Sequence, residues 1–143
     1  MKKYTIHFYL RIVIRLILGF LFLYASLDKI TNPQKFAEII YNYRILPVEL
    51  LNICALLVPW LEALIGLALL LGVWVETAAL LLSGITVLFI ILIISAILRG
   101  LDIECGCFSL DAAGSLVSWK RVVEDIVILV GGLYLFFRKQ SGK

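Results

Sequence analysis

The sequence predicts an all-α integral membrane protein, a single domain of four transmembrane helices with a short amphipathic interfacial helix between spans one and two. Three observations predict it. Of the 143 residues, 63% are hydrophobic and 16% charged, with a mean hydropathy of +1.08. Soluble domains average about 45–50% apolar and about 25% charged, so a soluble enzyme is excluded. Thr77 to Leu98 is a charge-free run of 22 residues, enough helix to cross about 30 Å of hydrocarbon. At roughly 20 residues per crossing, the length accommodates four spans, and helices satisfy their own backbone hydrogen bonds in lipid.

The elements follow in order. The first span, about 8–27, carries Arg11 and Arg15. Lys2-Lys3 ahead of it and Ala25-Ser26 near its end imitate a signal peptide, but two arginines interrupt the apolar stretch, so a retained helix is expected. Asn32-Pro33 then supplies an N-cap and first helical residue, and Phe36, Ile39, Ile40 and Tyr43 follow at helical spacing. Lys35, Glu38 and Asn42 fall mainly on the opposite side, which describes an amphipathic helix on the membrane surface, ended before Pro47. It either leads the chain into the next span or covers a site as a lid.

The second span, 48–71, is apolar apart from Glu49 and Glu62, and Pro59 removes one of its backbone hydrogen bonds. Gly72-Val73-Trp74 turns the chain into an antiparallel third span, 77–98. A polar connection, 99–120, leads to the last span, 122–137, closed by Arg138 and Lys139. Trp74 and Trp119 sit at span ends as interface anchors.

The net charge is +3, but the 13 Lys and Arg are scattered, so membrane lipid rather than nucleic acid is the expected partner. The basic residues outside the apolar cores divide evenly between the two sides, and those flanking the first span lean toward cytoplasmic termini. The connection at 99–120 would then face outward. Charges inside a membrane are costly and usually paired. Counted from the outward ends of their spans, Arg15 and Glu62 lie at similar depth, which predicts an Arg15–Glu62 pair. Arg11, one turn away, would share the carboxylate or meet a lipid head group. The pair is either a clamp between helices or a polar wall for a quinone or proton path. Glu124-Asp125, early in the last span, are the expected partners of Lys29 or Lys120.

The chemistry concentrates in Cys105-Gly106-Cys107, two of the three cysteines, within the polar connection. Glycine between them permits the backbone conformations that let sulfurs at i and i+2 meet. A disulfide closing so short a ring departs from ideal geometry and exchanges easily, so redox exchange is the leading reading. Two alternatives stay open: a soft ion such as Cu(I) held by the pair, or an inert structural disulfide or pair of idle thiols. No metal ligand set is assigned, because a tetrahedral zinc site needs four ligands and the single histidine, His7, sits at the other end of the first span. Cys54, about two turns into the second span from the same face, is either a small core hydrophobe or a third thiol that resolves a mixed disulfide. Lys29, at the outward end of the first span, would lower a nearby thiol pKa, whereas Asp102, Glu104 and Asp111 would raise it.

Taken together, these residues make the chain resemble the MauE/DoxX family of small bacterial membrane proteins, on its MauE side, over nearly the whole length. The matching pieces are Gly19, Tyr24-Ala25 and Lys29; Pro33-x-x-Phe36; Pro47; Pro59-x-x-Glu62-x-x-x-Gly66; and Arg99-Gly100 leading to Cys105-Gly106-Cys107-Phe108. Ser109 and Glu124-Asp125 depart from the pattern, where glycine and an early basic residue are common. The resemblance implies a four-helix bundle similar to DsbB and vitamin K epoxide reductase, in the bacterial inner membrane. It also implies periplasmic thiol-disulfide chemistry at Cys105 and Cys107, with Gly106, Phe108, Lys29, Arg15 and Glu62 in support. MauE is linked to methylamine utilisation through maturation of a disulfide-rich dehydrogenase subunit. The expected partner is a thioredoxin-like periplasmic protein or a membrane complex, with quinone as candidate electron acceptor. DsbB-like relays use two cysteine pairs and this chain has one pair plus Cys54, so an accessory or assembly subunit stands beside the oxidoreductase reading.

Overall fold

Asn32 and Pro33 interrupt a stretch that is otherwise helical from Lys2 to Asn42, because nothing before them breaks an apolar helix. In the computed structural model, which describes residues 1–103 and 118–138, this stretch forms α1 (Lys2–Thr31) and α2 (Pro33–Asn42). There follow α3 (Val48–Leu71), α4 (Val75–Leu98) and α5 (Trp119–Phe137), with no strand among the described residues. α1 outruns the expected 8–27 at both ends. α4 begins two residues early, at Val75, after Gly72 and Trp74 take left-handed conformations in the turn. α5 begins at Trp119 rather than Val122, behind an extended Ser118.

α1, α3 and α4 are long and apolar enough to cross a membrane. Their outward surfaces carry large apolar side chains such as Leu57, Leu64, Leu88 and Ile91, which lipid but not water accommodates. The protein is therefore an all-α, multi-pass membrane protein. α5 differs from those three in opening with Lys120, Arg121, Glu124 and Asp125 inside its first two turns.

Close backbone approach fixes how the helices register. A methyl group at Gly66 would lie 2.8 Å from both the Gly19 carbonyl oxygen and the Leu23 amide nitrogen, so only glycine lets α1 and α3 come this near. A methyl at Gly132 of α5 would lie 2.7 Å from the Ser83 hydroxyl of α4. The main apolar core, with Leu18, Phe22, Ile65, Leu69, Ala79, Leu82, Ile128 and Leu135, draws on all four long helices.

This register overturns the Arg15–Glu62 pair. Arg15 lies beside Gly72 and Gly19 beside Gly66, which sets Glu62 opposite the last turns of α1 instead. The first two turns of α3 run past the end of α1 and pack on α2, where Ala55 joins Phe36, Ile39 and Tyr43. Counting both spans from one outward plane misses that offset. The apolar face of α2 turns into the protein: Phe36 and Ile39, with Tyr43 just beyond the helix, are buried against α3 and against Ala96 of α4.

Candidate functional site

A helical side chain leans toward the N-terminus of its own helix. Lys29, in the last turn of α1, therefore reaches back into the protein, and Glu62 on the antiparallel α3 reaches toward it. The Lys29 ammonium donates to both carboxylate oxygens of Glu62, at 3.0 and 2.9 Å, with the two side chains 1% and 3% exposed. The rings of Phe36, from α2, and Phe89, from α4, flank the ammonium at 5.2 and 5.1 Å from their centroids. A buried lone ammonium costs several kcal/mol; two charge-assisted hydrogen bonds and two ring faces offset that cost.

α5 completes the enclosure. Asp125 is buried, and its Oδ2 has no hydrogen-bond partner among the described residues. Glu62, Thr86, Phe89 and Asp125 line a small cavity of about 20 Å³ that also touches Phe22 and Ile128. That volume suits one water molecule and is far too small for a quinone ring. The Thr86 hydroxyl donates to the Leu82 carbonyl, leaving the carboxylates as the strongest acceptors on the cavity wall. Asp125 is near enough to feel the charge of Lys29. Tyr43, just beyond α2, is also buried: desolvation first, then the negative charge of Asp125, pushes its phenol above the ordinary range, so it stays neutral. One cation and two carboxyls are thus buried together where five helices converge, an arrangement able to hold and exchange protons.

The cluster sits at the end of the molecule where the polar connection leaves and returns. Leu101 and Ile103 pack against the Phe36, Ile39 and Tyr43 cluster, and an Arg99 guanidinium nitrogen donates to the Tyr43 carbonyl. Ser118 opens α5 two turns before Asp125. Cys54, a free thiol that is partly buried, lies on α3 next to Ala55 of the same cluster. Cys105, Gly106, Cys107 and Phe108 lie outside the described residues.

Of the residues singled out by sequence, Lys29 and Glu62 come together and Arg15 stands apart, against the turn at Gly72. The expectation for Glu124-Asp125 divides: Glu124 pairs with Arg121 at 2.8 Å, whereas Asp125 turns inward to the Lys29 site. Phe89 and Thr86 are not legible as site residues, because a phenylalanine and a threonine in a charge-free span carry no periodic or chemical signal. Among the described residues no group of three His, Cys, Asp or Glu is placed to hold a metal ion.

Comparison with known proteins gives a consistent answer. The family described as "Methylamine utilisation protein MauE" matches residues 7–138. The chain is 29% identical over 116 residues to the methylamine utilization protein MauE of Paracoccus denitrificans, covering 80% of this chain and 62% of that protein. It is 38% identical over 99 residues to MauE of Methylorubrum extorquens, covering 68% and 53%, and 29% identical over 112 residues to MauE of Methylophilus methylotrophus, covering 78% and 59%. The chain thus spans between about half and three fifths of the length of these relatives. No solved structure matches it. With a match that runs from the first turns of α1 to the end of α5, the chain belongs to the MauE family.

Proposed function

We propose that the protein is an accessory membrane subunit for thiol-disulfide exchange, in a system of the methylamine-utilisation type. In this reading α5 is the fourth crossing of a DsbB-like bundle in the inner membrane, the termini are cytoplasmic, and Cys105 and Cys107 work at the periplasmic face. A thioredoxin-like partner's dithiol attacks the Cys105–Cys107 disulfide; the partner is oxidised and the pair reduced. Returning the pair to the disulfide releases two protons and two electrons, which pass to a quinone and make the quinol. The cavity beside Glu62 has room for about one water molecule, so the quinone would dock on the lipid-facing surface.

One observation carries this reading: the buried Lys29, Glu62 and Asp125 cluster, the Cys54 thiol, and both described ends of the connection bearing Cys105-Gly106-Cys107 share one end of the molecule. Maleimide mass-shift labelling of native membranes, with and without reductant, tests it. Cys105 and Cys107 should be protected in part until reductant is added, and two thiols that are free at every stage of growth would sink the proposal. A Cys107→Ser variant should trap a mixed disulfide through Cys105 and so identify the partner.

A structural or assembly subunit is the second reading, favoured by a buried ion pair that draws α1, α2, α3 and α4 onto one ammonium. Replacing both Cys105 and Cys107 by Ser separates the two. Normal complex formation with retained pathway activity supports assembly alone.

A further inference from the structure

Arg11 and Arg15 lie one turn apart on one face of α1, and neither forms an ion pair among the described residues. The carboxylate at Glu62 is held by Lys29. The Arg15 guanidinium lies instead against the turn from α3 to α4: a methyl at Gly72 would sit 2.7 Å from one of its nitrogens and 3.2 Å from its central carbon. Its Nε is shielded from solvent and has no hydrogen-bond partner among the described residues. Arginine does not shed its proton, and no carboxylate among the described residues answers this charge. The end of α3 offers only the partial charge of a helix C-terminus, and its Ala68 carbonyl already accepts from the amides of Gly72 and Val73.

Depth decides which anion is available. The turn is where α3 and α4 leave the hydrocarbon, with Trp74 exposed beside it, so Arg15 stands at the level of lipid head groups. Trp74 also borders an apolar groove of about 160 Å³ between α3 and α4, walled by Leu61, Leu64, Ala68 and Leu81. Lys2, Lys3 and Arg138 lie toward the same end, where Glu76 is a carboxylate that makes no ion pair with either arginine. The geometry points to a phospholipid site in this leaflet, with Arg11 and Arg15 binding the head-group phosphate and the groove beside Trp74 receiving an acyl chain. Arginine suits the role because its planar fork binds phosphate oxygens in pairs.

The test uses the full chain purified in dodecyl maltoside, with thermal unfolding followed as lipids are added. Dioleoylphosphatidylglycerol should raise Tm saturably, dioleoylphosphatidylcholine less, and a phosphate-free galactosyl diacylglycerol or sodium phosphate not at all. In an Arg11→Gln/Arg15→Gln variant, the half-saturating phosphatidylglycerol concentration should rise about tenfold or more. An unchanged value in the variant, or an equal shift from the galactolipid, overturns the site. A shift reproduced by sodium phosphate alone makes it a free-anion site and overturns the lipid assignment. Should the double variant fail to fold, native mass spectrometry of the unaltered protein decides: retained phosphatidylglycerol with no retained galactolipid supports the site, and equal retention refutes it. The site is remote from the Lys29 cluster, so either outcome leaves the proposed redox role untouched.

Discussion

At the α2 end of the protein, Lys29 is enclosed by Glu62 and by two phenyl rings from other helices, whereas at the α3–α4 turn Arg11 and Arg15 reach no carboxylate among the described residues. The difference follows from depth and from side-chain direction. Lys29 points inward, toward hydrocarbon that offers no counter-ion, so the fold must supply one. Arg15 lies where lipid phosphate and water are at hand, and its long stem lets the charge snorkel outward. Two cations on one helix therefore have different roles, and stability measurements should separate them.

The largest effect is expected at Lys29 and Glu62. Removing one member leaves the other buried without a partner, a loss of about 3–5 kcal/mol. Lys29→Met or Glu62→Ala should sharply lower Tm in detergent, while a Lys29→Met/Glu62→Leu double variant, with no stranded charge, should recover much of the loss. Single variants as stable as the native chain would show that the pair is not the internal lock of the fold.

How much of this was legible in sequence divides along the same line. Hydropathy and the breaks at Asn32-Pro33 and Gly72 mark the helices well, because they are local signals. The partner of Glu62 is not legible in the same way, because it depends on an offset between α1 and α3 created by α2, a tertiary fact that counting along each span cannot contain. Gly19 and Gly66 stood in the sequence as parts of a family motif, but only their close approach explains them. Phe89 became a site residue solely through packing, and Cys105 and Cys107, the clearest chemical signal in the sequence, lie outside the described residues.

The next largest effect should come from the contact that sets the register. Gly66→Ala drives a methyl to 2.8 Å from α1 backbone atoms, which cannot swing aside as a side chain can. Overpacking of this kind costs about 1–3 kcal/mol. Gly84→Ala, on the exposed face of α4 with nothing within 4 Å of the new methyl, should be neutral or slightly stabilising. Equal Tm values for the two variants would mean that α1 and α3 are free to slide, and that Lys29 meets Glu62 for some other reason.

Asp125 sharpens the picture within the buried cluster. Its Oδ2 makes no hydrogen bond among the described residues, so Asp125→Asn removes charge near Lys29 without breaking the bidentate pair. The expected loss is no more than about 1 kcal/mol, well below that of Glu62→Gln. A loss as large as that of Glu62→Gln would make Asp125 an equal partner in holding the ammonium.

The smallest effect on stability is expected at Arg15, where the comparison between the two ends is most exposed to failure. In lipid-free detergent, Arg15→Gln removes a cation that has no ion pair among the described residues and keeps most of the side-chain stem, so the main loss is the attraction to the partial charge at the end of α3. That contribution is about 0.5 kcal/mol. Measured beside Lys29→Met under the same conditions, it should be several-fold smaller. A loss matching that of Lys29→Met would mean that Arg15 is held as firmly by the protein as Lys29 is, and that depth does not govern how this chain satisfies its charges.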